Sequence, residues 1–114
     1  YSTLFTTQKM IDENPELVQE VVDRLRAAFV KSLNDPKPTM DLILGKSKKV
    51  TPAIHMNAIG LMKDEFLPKD YSKLGCMKTA RWEELAGQLK EVDVVPSDFD
   101  PSTSFNLSFM GNCE

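Results

Sequence analysis

The chain is poor in the residues from which most metal and nucleophile chemistry is built. Its 114 residues include one histidine, His55, and two cysteines, Cys76 and Cys113. Two thiols cannot close a four-ligand metal site, and His55 lies about twenty residues from the nearer one. No structural metal is therefore expected. A Cys76–Cys113 disulfide suits an oxidising compartment, and two free thiols fit the same two residues equally well. Long apolar runs are absent too. None approaches the roughly 20 residues that span a bilayer, and no basic-then-apolar leader follows Tyr1, so a membrane-spanning chain is not expected. Positive charge is scattered among acids, 14 Lys and Arg against 17 Asp and Glu for a net charge of -3. Without a basic stripe, nucleic acid is not an expected partner.

Apolar residues make up 41% and charged residues 27%, values that suit a folding chain rather than disorder or a fibrous repeat. The length allows one domain, or part of one. Natural chains open on Met, and a start at Tyr1 suggests a piece of something longer.

A repeated punctuation organises the sequence: Asn14-Pro15, Asp35-Pro36, Thr51-Pro52 and Asp100-Pro101. In each pair a short polar side chain able to accept from free backbone N–H groups precedes a proline whose fixed φ suits the first helical position. Helices are expected to start at all four. The first, "NPELVQEVVDRLRAAFVKSLN", places Leu17, Val21, Leu25, Ala28, Phe29 and Leu33 along one stripe that Val18 and Val22 widen. In "KPTMDLILGKS", Met40, Ile43 and Leu44 form a short apolar edge and Gly45 reads as a stop. "TPAIHMNAIGLMKDEFLP" has Ile54, Ala58, Leu61, Met62 and Phe66 at helical spacing, with a break at Pro68. After Thr79 a further helix carries Trp82, Leu85, Ala86 and Leu89 on one face. Ahead of these, "YSTLFTT" is β-prone and reads as a strand end running into a helical turn at "TQKMIDEN". The end of the chain, "SDFDPSTSFNLSFMGNCE", reads as a short capped turn and a loose tail.

The most tempting chemistry is Arg81, Trp82, Glu83 and Glu84. Consecutive helical residues fan out by about 100° each, so these four cannot converge on one small substrate. Trp82 reads as a packing anchor, and Glu83 and Glu84 as solvated. His55 has no nucleophile motif beside it, and Met40, Met56, Met62 and Met77 read as gap-fillers in helix packing. Phosphate loops, nucleophile elbows, zinc motifs and dinucleotide fingerprints do not occur. No catalytic residue, metal or cofactor is expected in these residues.

The order of the parts carries more than any one of them. Asn14-Pro15-Glu16, Gly75-Cys76-Met77, Arg81-Trp82, Val95-Pro96, Asp100-Pro101-Ser102 and Asn106-Leu107-Ser108-Phe109 follow one another along nearly the whole chain. This order resembles the carboxyl-terminal third of a type II periplasmic substrate-binding protein of an ABC importer. The most similar branch is the one that binds thiamine-pyrimidine precursors, nitrate, sulfonates and taurine. Cys76 and Lys78-Thr79-Ala80 stand where that branch has an aromatic and an Asp-Pro-Glu start, so no subfamily or ligand follows.

The resemblance implies a mainly α segment of four to five helices plus one N-terminal strand, the C-terminal portion of a two-lobed α/β substrate-binding protein. Residues 1–114 would be a helical segment of one lobe, with 1–7 as a hinge-type strand. Most ligand contacts would come from outside these residues, and Ser2 and Thr3 are the nominated ligand-binding positions. The implied function is non-enzymatic capture of a small-molecule solute for an ABC permease, without a cofactor. The implied location is periplasmic or extracellular, or lipid-anchored through a preceding segment. Two alternatives stand beside it: a fragment of a pyrimidine-precursor synthase of the same fold, and a free-standing helical interaction module.

Overall fold

A computed structural model describes residues 3–47, 49–111 and 113. The chain forms two compact units, Tyr1–Leu74 and Gly75–Glu114. The structure is mainly helical, 65% helix, with no strand among the described residues.

The first unit is a succession of helices, some of them opened by a side-chain cap. Helix α1 (Gln8–Glu13) opens on Thr7, whose hydroxyl accepts from the Met10 N–H at 3.1 Å. Asn14 then ends α1 and starts α2 (Pro15–Asn34), where Pro15 takes the position that needs no N–H. The Asn14 side chain itself makes no capping hydrogen bond. Helix α3 (Lys37–Lys46) follows directly. Asp35 does not cap it; its N–H donates to the Lys31 carbonyl and closes the last turn of α2. Pro36 stands at the cap position instead, one residue later than the sequence spacing suggests. Gly45, expected to stop this helix, stays within it. The last turn closes beyond it, where the Ser47 N–H donates to the Ile43 carbonyl at 2.8 Å.

Helix α4 (Pro52–Leu61) starts as expected, with the Thr51 hydroxyl accepting from the Ile54 N–H at 3.3 Å. It runs into a π-helical turn, Met62–Phe66, whose wide ring is closed by the Leu67 N–H on the Met62 carbonyl at 2.9 Å. A short 3₁₀ turn, Tyr71–Lys73, is capped by Asp70, which accepts from the Ser72 N–H.

Among the described residues, Val22, Leu33 and Leu74 are buried in this unit. Two polar ties support them. The Arg26 guanidinium donates to the Ser72 carbonyl and fastens α2 to the 3₁₀ turn, and the Ser32 and Thr39 hydroxyls meet at 2.8 Å between α2 and α3. The packed side of α2 therefore lies at one edge of its predicted stripe. Leu17, Val21, Leu25 and Phe29 remain 42–50% exposed.

The N-terminal strand expected at residues 1–7 is not formed at 3–7, where Leu4 and Phe5 are 60% and 91% exposed. An extended segment becomes a strand only when a neighbouring edge pairs its N–H and C=O groups. No described residue offers such an edge. Tyr1 and Ser2 lie outside the described residues.

The second unit is built on α5 (Thr79–Glu91). Gly75 opens it at φ 80°, and a Cβ there would come within 2.8 Å of Met110 Cε. Helix α5 ends in a Schellman motif: Val94 N–H donates to the Leu89 carbonyl at 2.9 Å, and Asp93 N–H to the Lys90 carbonyl at 3.1 Å. Asp93 sits at φ 56°, the left-handed position usually given to glycine. A 3₁₀ turn, Pro101–Ser104, follows, with Asp100 accepting from the Ser102 N–H at 2.9 Å. Ala86 is the buried residue of this unit among those described.

Candidate functional site

Helical spacing brings Trp82, Leu85 and Leu89 to one side of α5. The chain returning after the Schellman turn lays Val95, Phe99 and Pro101 against them, and a groove of about 140 Å³ lies between. Ala86 and Ser104 complete its lining. At one end the Trp82 ring stacks on Phe105, centroids 5.2 Å apart and planes 15° from parallel. The surface is apolar, with the Ser104 hydroxyl and the indole N–H as its polar groups. It suits an apolar side chain or packed partner and offers no acid, base or nucleophilic pair for catalysis.

A second concave surface of about 400 Å³ lies at the α1–α2 corner, lined by Glu13, Asn14, Pro15, Glu16 and Leu17. Two carboxylates and a carboxamide stand there beside Pro15 and Leu17, so its character is mixed. Thr3 is exposed and lines neither surface, and Ser2 lies outside the described residues.

The Arg81–Glu84 region separates as its helical spacing requires. Arg81 pairs with Glu84 at 2.6 Å through i,i+3 geometry on the exposed side, while Trp82 turns to the groove. His55 is half-buried on α4, with its Nε2 enclosed and without a hydrogen-bond partner. Cys76 and Cys113 form a disulfide, Cα atoms 5.5 Å apart. Among the described residues no cluster of three His, Cys, Asp or Glu side chains could hold a metal ion, and no helix is long and apolar enough to cross a membrane.

Three exposed groups have shifted pKa values. Asp100 is held below the usual carboxylate range by the Ser102 hydroxyl and then by the Ser102 N–H. Asp70 is lowered first by the Ser72 N–H and then by its hydroxyl. Lys37 is raised by its hydrogen bond and charge pairing with Asp41, 2.7 Å away.

Phe99, which lines the groove, and Phe105, which stacks on Trp82, are residues that sequence reasoning missed. The signal was the Asp100-Pro101 turn, which folds a flanking aromatic back toward α5 on either side.

The chain leaves much surface open. A compact protein of 12.8 kDa exposes about 6,300 Å², and two separate compact bodies the size of the two units about 7,500 Å². This chain exposes 8969 Å². Large apolar side chains are exposed on it, with Leu17, Val21, Leu25 and Phe29 on α2, Ile54, Met56 and Leu61 on α4, and Phe66 after it.

Comparison of the chain with protein-family models, curated proteins and solved structures finds no match.

Proposed function

We propose that these residues belong to an extracytoplasmic solute receptor, a two-lobed α/β substrate-binding protein that hands a small molecule to an ABC permease. In this reading residues 1–114 are helical buttressing of one lobe and take no part in catalysis. The observation that carries it is the open apolar ridge of α2. Leu17, Val21, Leu25 and Phe29 recur every fourth residue, the spacing of a ridge built to pack, and all four are 42–50% exposed. A sheet lobe is a surface such a ridge fits. The order of motifs from Asn14-Pro15-Glu16 to Asn106-Leu107-Ser108-Phe109 supports the same assignment. So does the Cys76–Cys113 disulfide, a bond that persists in the oxidising compartments where such receptors work. Ser2 and Thr3 would then approach the ligand cleft through the returning hinge segment.

The test is the native gene product, its intact mass and its cell fraction. A secreted product substantially longer than 114 residues is expected. A 114-residue product in the cytosol overturns the reading, and a cooperative thermal transition of that product would establish the free-standing helical module in its place.

A further inference from the structure

The disulfide occupies an unusual place in its unit. Cys76 is the second residue of the Gly75–Glu114 unit and Cys113 the second from its end, 37 positions apart. Nearly the whole unit therefore lies inside one covalent loop.

Little else closes that loop. Ala86 is its buried residue among those described, and the other three buried residues, Val22, Leu33 and Leu74, belong to the first unit. The Trp82–Phe105 stack and the groove around it are half-buried contacts. Bodies of about 40 residues bury too small a fraction of their surface to hold together without a disulfide, a metal or a partner. The described residues contain no metal-binding cluster, so the disulfide is the closure at hand. Both cysteines are half-buried rather than sealed, within reach of an attacking thiolate.

We propose that the Cys76–Cys113 bond is a redox switch on the folding of the 75–114 unit. Closed, it holds α5 against the segment from Val95 to Phe105. Opened by a dithiol reductant, it releases α5 and dissolves the Trp82 groove, while the 1–74 unit keeps its helices. A thiolate of the dithiol attacks one cysteine sulfur, forming a mixed disulfide and releasing the other cysteine as a thiolate that takes up a proton. The reductant's second thiol then displaces the first cysteine. The protein disulfide gains two electrons and two protons, and the dithiol becomes its own disulfide. A loop of this length shifts the folding equilibrium of what it encloses by a factor on the order of 500. The switch is independent of the receptor reading, since it concerns this unit's own closure.

The experiment uses the full chain, oxidised with glutathione disulfide and then titrated with dithiothreitol. Trp82 is the sole tryptophan, so its fluorescence reports the second unit alone, and amide exchange separates residues 79–91 from 15–34. Reduction is expected to red-shift Trp82 and remove protection at 79–91 while leaving 15–34 unchanged, with reoxidation restoring both signals. A Cys76→Ser, Cys113→Ser variant is expected to match the reduced state. Retained protection at 79–91 after complete reduction overturns the proposal, as does equal loss at 15–34. Two alkylatable thiols remaining after oxidation would overturn it as well.

Discussion

Trp82 and Phe105 stack with ring centroids 5.2 Å apart and 15° between their planes, 23 residues apart in sequence. The pair joins α5 to the segment beyond the Pro101–Ser104 turn. Phe105→Ala removes both the stack and its apolar contact, at an expected cost of about 2 kcal/mol to the second unit. Urea unfolding followed by Trp82 fluorescence measures it. Phe105→Tyr keeps the ring and should stay near the parent, so equal loss in both variants would show that the stack contributes nothing.

Asp93 holds a left-handed conformation at φ 56° to complete the Schellman motif after α5. A side chain costs roughly 1 kcal/mol there, somewhat less for aspartate than for most residues. Asp93→Gly is therefore expected to stabilise the second unit by about 0.5 to 1 kcal/mol, read as a higher urea midpoint at unchanged m-value. Asp93→Val should move the midpoint the other way.

Asp70 and Asp100 have carboxyl groups lowered by hydrogen bonds from Ser72 and Ser102. A folded-state pKa below the unfolded one means that the stabilisation is fully present above the unfolded value, near 3.9, and is lost as pH falls through the folded value. Carboxyl NMR titration should give both groups midpoints below the ordinary aspartate value. The turns at Tyr71–Lys73 and Pro101–Ser104 should loosen in that acidic window and be unaffected near neutrality. Ser102→Ala should bring Asp100 back toward the ordinary range and leave Asp70 where it is.

The open ridge of α2 separates two behaviours of one substitution. In the 114-residue chain Val21→Lys and Leu25→Lys touch exposed positions, so each should change stability by no more than about 0.5 kcal/mol and reduce self-association measured by light scattering. In a longer parent whose sheet covers the ridge, the same changes would bury unpaired charge and cost several kcal/mol. Equal, small effects in both proteins would remove the ridge as a packing surface.

The helical character was legible wherever local chemistry decides it. Thr51-Pro52 and Asn14-Pro15 begin helices, because capping and proline geometry act within a few residues. Asp35 is not the cap of α3 because that helix begins at Lys37, with Pro36 at the cap position, a shift of one residue that spacing does not reveal. Gly45 stayed helical because Ser47 could still close the turn behind it. The strand at 3–7 was misread for a non-local reason: β-propensity describes a residue's fit to a sheet, and no described residue offers that sheet. The face of Trp82, Leu85, Ala86 and Leu89 was visible in the periodicity, whereas Phe99 and Phe105 came to it through a turn whose direction the sequence pattern does not encode.

The wide turn at Met62–Phe66 holds one residue more than an α-helical turn would. It is the wide final turn of the helix begun at Pro52, after which Leu67 leaves the helix in an extended conformation. Phe66, 72% exposed, is the last residue of that turn. Deleting one residue between Lys63 and Glu65 would tighten the turn and rotate Phe66 onto a different side, so chain length at this point sets which surface the aromatic ring belongs to.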